Sequence, residues 1–167
     1  MRSRVVRALL AAGVIFAWVG LPAHANVLRP SDAERFYGIR KQLRDAVKDI
    51  NQASQAVVGS HPTFDCLENI YEQASLVEAS AAQVGDLLNL SVLMRNSADE
   101  RLVLHALNEA ASILAARLDI GRQTINGYMS TCSKVATANV EGQVLLSVFS
   151  AMSGDLSTIE AQVRNER

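Results

Sequence analysis

A chain of 167 residues, 49% of them hydrophobic, is long enough to bury one core and too short to suggest several domains. Its 16 basic and 17 acidic residues leave no positive excess, which argues against a nucleic-acid-binding surface.

The first 25 residues read as a cleavable signal peptide. Arg2, Arg4 and Arg7 make a basic start, an apolar stretch runs from Ala8 to Val19, and Pro22 breaks it. Ala23 and Ala25 then stand three and one before a cleavage point ahead of Asn26. Retention as an anchor is the rival reading, because Ala8 to Leu28 carries no formal charge, yet the apolar part is shorter than the roughly 20 residues a membrane-spanning helix needs. Cleavage would remove three arginines and no acids, leaving 13 basic and 17 acidic side chains, net −4. Residues 26–167 are then expected to form a single helical-bundle domain in the periplasm or outside the cell, with no integral membrane segment.

Four helices follow from spacing. The first is predicted to open at Ser31, with Glu34 completing a capping box. Its apolar residues Phe36, Ile39, Leu43, Ala46, Ile50, Ala53 and Val57 step by three and four, and Gly59 ends it. The second begins between Pro62 and Cys66, with Asp65 and Glu68 as a possible capping box, and repeats the stepping at Leu67, Ile70, Ala74, Val77, Ala81, Val84 and Leu88. Ser97 and Glu100 mark a turn at roughly residues 95–97. The third carries Leu104, Leu107, Ala111, Leu114, Leu118, Gly121, Ile125, Tyr128 and Cys132. After a polar connection from Ser133 to Asn139, the fourth runs from about Val140 to Val163 and is expected to bury Val144, Leu145, Val148, Met152, Leu156, Ile159 and Val163.

Short turns make successive helices antiparallel neighbours, so the predicted fold is all-α: an up-down-up-down four-helix bundle. Folding back near residue 96 brings Cys66 and Cys132 to one end, with a mismatch of roughly 9 Å at 1.5 Å per residue. A disulfide between helices 2 and 3 is therefore expected in an oxidising compartment, provided Cys132 sits where its helix unwinds. The first hairpin also sets Lys48 level with Glu72 and Lys41 near Glu78.

Catalytic and cofactor patterns are missing. There is no CxxCH, HExxH, paired Glu-x-x-His, GxSxG or glycine-rich phosphate loop. The chain is expected not to be an enzyme and to need no cofactor or metal. On the fourth helix, opposite the apolar stripe, stand Gln143, Ser147, Ser150, Ser153, Gly154 and Ser157, with Leu146 beside them. Solvent faces normally carry Lys and Glu, so this uncharged strip reads either as a docking or dimer face or as plain tolerated surface. The expected function is a non-enzymatic protein-interaction module whose partner is another protein or a second copy. The alternative is a bundle holding a small apolar molecule, haem or metal around Met94, His105, Met129 and Met152.

A cysteine opening the second helix and another closing the third resemble the arrangement in plant invertase and pectin-methylesterase inhibitors. Those proteins add a cysteine pair in an N-terminal hairpin, which has no counterpart between Asn26 and Asp65. The Cys66-x4-Tyr71 spacing also departs from their Cys-x3-Tyr. The resemblance is one of architecture, and no functional residue carries over from it.

Overall fold

The computed structural model describes residues 28–57, 59 and 61–165. The segment 1–25, expected from its sequence to be a cleavable signal peptide, lies outside them. Four helices follow in order: α1 (Pro30–Ala56), α2 (His61–Leu93), α3 (Glu100–Thr131) and α4 (Ala136–Asn165). Each packs on its chain neighbours, α1 closes the ring against α4, and α2 touches α4 across the diagonal. This is the expected antiparallel bundle. Small residues on the inner face of α2, Ala74 and Ala81, leave room for that diagonal approach.

The seam is fixed by the seven-residue stepping. All seven apolar positions predicted for α2 are buried, as are eight of the nine on α3, with Tyr128 half-buried. On α1 the stripe drifts: Phe36, Leu43, Ala46 and Ile50 are buried, but at the helix end Ser54 takes the inward place expected of Ala53. The Ser54 hydroxyl donates to Glu68 Oε2 at 3.1 Å, which satisfies it inside the seam. On α4, Val144 faces solvent, contrary to expectation, while Gly142 and Phe149 turn inward. The reason lies at Gly142: a Cβ there would stand 2.6 Å from Met129 Sδ, so the missing side chain lets Met129 lie against the helix backbone.

Three helix starts differ from the predicted caps. The first helix is capped at Arg29 with Pro30 as its first residue, so Ser31 lies inside it. Proline loses no amide there and its φ is preset, while the Asp32 carboxylate accepts the Arg29 N–H at 2.8 Å. The second is already helical at His61; Asp65 and Glu68 therefore sit past its start and cap nothing. At the third, Asp99 rather than Ser97 is the cap residue, and Glu100 reaches back to accept the N–H of Asn96, not of Ser97, at 2.8 Å. Asn96 turns the chain with a φ of 62°, a left-handed value asparagine tolerates. The fourth helix starts at Ala136, four residues before the predicted Val140. Asn139 Nδ2 donates to the Ser133 carbonyl at 3.1 Å, and buried Ala138 anchors the first turn.

Cys66 and Cys132 are bonded, with 6.0 Å between their Cα atoms, and Cys132 is the residue that ends α3. The register of the first hairpin holds with a change of partner: Arg40, not Lys41, stands 3.7 Å from Glu78 and 3.8 Å from Asp86.

Candidate functional site

Helix α4 presents two faces of unlike chemistry. Its inward face includes Leu145, Val148, Phe149, Met152, Leu156, Ile159 and Val163. Its outward face runs from Val140 to Ala161 and spans about 31 Å at 1.5 Å per residue. Gln143, Val144, Ser147, Ser150, Ala151, Gly154, Ser157 and Thr158 are exposed along it. Of the charged residues in that span, Asp155 is buried and Glu141 and Glu160 are half-buried, Glu160 lining the same groove as Ser157. No exposed side chain on this face carries charge.

Of the sequence-predicted strip, Gln143, Ser147, Ser150, Gly154 and Ser157 are exposed together. Leu146 and Ser153 are not part of the free face. Leu146 is half-buried and packs against the core, while Ser153 Oγ accepts a hydrogen bond of 2.6 Å from Arg122 Nη2, which also donates to the Phe149 carbonyl at 3.0 Å. Val140 and Val144, which the sequence reading placed outside the strip, are 59% and 45% exposed and extend it as an apolar end. The serines and threonines are less polar than their formulae suggest. Ser157 donates to the Ser153 carbonyl at 2.9 Å and Thr158 to that of Gly154 at 3.2 Å, so part of the hydroxyl demand is met within the helix. A Cβ at Gly154 would meet nothing within 4 Å, but the same is true at Gly38 and Gly127. The missing charge, rather than the glycine, sets the strip apart.

A polar cluster that the sequence reading missed joins α1 to α4. Asp32 and Asp155 are buried and share Arg35, whose Nη2 lies 3.2 Å from Asp32 Oδ1 and whose Nε pairs closely with Asp155. Gln162 Nε2 donates to Asp32 Oδ2 at 3.2 Å, while Asp155 Oδ2 and Gln162 Oε1 make no hydrogen bond. The hydrogen bond to Asp155 holds the Arg35 guanidinium above its ordinary pKa, assisted by the charges of Asp155 and Asp32 against the opposing effect of burial. The cluster orders the α1–α4 seam.

The residues of the ligand-binding alternative do not converge. His105 and Met129 both lie on α3, 24 positions apart, or about 36 Å. Met152 is fully buried, and His105 is exposed with its Nε2 3.5 Å from Glu109. Both cysteines are in the bridge, and among the described residues no three His, Cys, Asp or Glu side chains group to hold a metal ion.

Three of the open grooves on the described surface lie between neighbouring helices. One, of about 390 Å³, is bordered by Pro30, Ala33, Glu34, Tyr37, Asn89, Val92 and Leu93 at the end where α1 begins. Another, of about 210 Å³, lies between α2 and α3 beside Leu76 and Ile120; there Arg117 Nη1 donates to the Leu76 carbonyl at 3.1 Å and to Ser80 Oγ at 2.7 Å. The third, of about 180 Å³, lies between α3 and α4 beside Arg122 and Glu160. No protein-family model matches the chain, and neither does any curated protein or solved structure.

Proposed function

We propose that this chain is an exported, non-enzymatic interaction module that docks another protein, or a second copy of itself, through the outward face of α4. One observation carries the reading: from Val140 to Ala161 every exposed side chain of a long surface helix is uncharged. Water solvates charge readily, so a purely solvated helix of this length ordinarily carries Lys, Arg, Glu or Asp outward. Groups without formal charge cost less to desolvate than ionised ones, and small side chains let a second backbone approach closely. Export is supported by the leader pattern in residues 1–25 and by a disulfide between the only two cysteines, since such bridges persist in oxidising compartments.

The test uses native mass spectrometry of the protein purified from its own compartment. A mature mass beginning at Asn26 and a defined complex, with a partner or a second copy, are expected. Ser147→Lys with Ser150→Lys places two charges on the exposed face without touching the core, and should abolish that complex while the helical circular-dichroism signal and melting temperature hold. A complex that survives the double substitution refutes docking by this face.

A further inference from the structure

Three connections join the four helices, and they differ in what they offer a protease. An endopeptidase takes its substrate as an extended strand several residues long, so helices resist cutting and exposed loop tips do not. The α1–α2 connection, 57–60, holds neither lysine nor arginine, and neither occurs anywhere from Gln55 to Cys66. The α3–α4 connection, 132–135, carries Lys134 but is tied down at both ends. Cys132 is bonded to Cys66, the Val135 N–H donates to the Cys132 carbonyl at 2.8 Å, and Asn139 Nδ2 donates to the Ser133 carbonyl. At the opposite pole, the α2–α3 connection, 94–99, is the longest of the three. No residue from Val92 to Leu102 is buried, and Arg95 stands within that run. Its guanidinium has no carboxylate at ion-pairing distance among the described residues.

We infer that this connection is a processing site for an arginine-specific endopeptidase, cut at the Arg95–Asn96 bond, and that the Cys66–Cys132 bridge keeps the products in one molecule. Such proteases seat the arginine before the scissile bond on a carboxylate in the specificity pocket, and a guanidinium without a partner of its own is ready for that pairing. Extending the loop gives up hydrogen bonds of the turn, from the Asn96 N–H to Glu100 Oε2 at 2.8 Å and from the Ser97 N–H to the Met94 carbonyl at 2.9 Å. It uncovers no core residue. Other arginines are poorer targets. Arg29 leads into Pro30, which offers no amide N–H, Arg101 already lies in the first turn of α3, and a cut after Arg164 trims only residues 165–167. Hydrolysis breaks the C–N bond between Arg95 and Asn96; water leaves its hydroxyl on the Arg95 carbonyl carbon and its proton on the Asn96 nitrogen. One product ends at Arg95 with α1 and α2, the other begins at Asn96 with α3 and α4, and each holds one cysteine of the bridge. The packing of α1 on α4 and of α2 on α3 stays as it was. Separating the halves takes a second, unlike reaction. A dithiol reductant exchanges with the bridge, leaving two protein thiols and its own sulfurs oxidised to a disulfide. Peptide bond and sulfur bond thus stand at opposite poles of the α2–α3 hairpin, and either one alone keeps the bundle a single molecule. With both gone, the same packing becomes an association between two chains and weakens on dilution. None of this depends on docking by α4.

The test protein is the chain purified from its own compartment with the bridge closed, and the probe is a trace of trypsin. One early internal cut is expected, giving a fragment whose mass begins at Asn96. The cut protein should run as one band without reductant and as two with it, and should keep its helical circular-dichroism signal. In dithiothreitol its melting temperature should fall with dilution, whereas that of the uncut, reduced chain should not. Arg95→Gln should slow loss of the intact chain by about tenfold or more, because a pocket built for a guanidinium is left with an unpaired carboxylate. Apart from trimming after Arg164, a first cut at any other bond overturns the inference. So do halves that part without reductant, a cut protein that loses its helical signal, a cut and reduced protein whose melting ignores dilution, or an Arg95→Gln chain cleaved as fast as the parent.

Discussion

Asp155 occupies a place its neighbours reserve for apolar side chains, three residues after Met152 and four before Ile159. Such a carboxylate is tolerable because Arg35 meets it from α1, and the Arg35 side chain keeps 46% of its surface in water, so the pair does not bury two full charges. Glu141 shows the opposite case. Its carboxyl pKa is raised, first by burial and then by the charge of Asp49 across the α1–α4 seam. A raised acid binds its proton more tightly in the folded than in the unfolded protein. Its contribution therefore favours folding at acid pH and is lost as pH rises from the ordinary glutamate range through the raised value. Glu141→Gln should accordingly raise the melting temperature at neutral pH, and the gain should vanish by about pH 3, where free glutamate is itself protonated. Thermal scans of both proteins across that range decide it; a neutral-pH loss would show that the carboxylate is being stabilised rather than penalised.

At the scale of the helix, glycine positions separate close packing from slack. A Cβ at Gly121 would lie 2.8 Å from Phe149 Cε2 and 3.4 Å from Val77 Cγ2, both in the closed core where α2, α3 and α4 meet. Gly121→Ala should cost about 1–3 kcal/mol by urea unfolding, because a fixed aromatic ring must shift. At Gly142 the obstacle is Met129, a flexible and half-buried side chain. There alanine also gains about 1 kcal/mol of helix propensity, so Gly142→Ala should stay within about 1 kcal/mol of the parent. If the two variants lose equal stability, the core has no such difference in stiffness.

These contrasts also show why some elements were legible in the sequence and others were not. The stripe of α2 is flanked by α1 and α3 and crossed by α4, so each apolar step had a partner to bury against, and spacing alone located all seven. Helix α4 has a freer outward side and a glycine at its start, and its inward stripe is rotated so that Val144 is left outside. The cap at Arg29 was readable from Pro30 at the first helical position and Asp32 two residues later, a signal that Ser31 and Glu34 masked. Asp155 was readable as a charge on an apolar step. Its partner Arg35 was not, since 120 positions separate the two along the chain.

Over the whole molecule, the disulfide is the largest single constraint. It spans 66 positions and ties the far ends of α2 and α3, which by the chain-entropy relation stabilises the fold by about 4 kcal/mol. A small domain is typically stable by about 5–15 kcal/mol, so Cys66→Ala with Cys132→Ala should leave a folded but marginal protein whose urea midpoint falls sharply. Adding reductant to the parent should reproduce the shift. A change below about 1 kcal/mol would mean that the unbridged chain keeps these two helices together without help.

The bridge also gives the molecule a mechanical asymmetry. The described helices begin and finish, near Leu28 and Asn165, at one pole, and the covalent tie sits at the other. Under tension applied to both ends, α1 and α4 can peel away to full length, but the hairpin between the sulfurs cannot be drawn out. Those 66 positions withhold about 220 Å of contour at roughly 3.4 Å per residue, a reserve released only when a reductant cuts the knot.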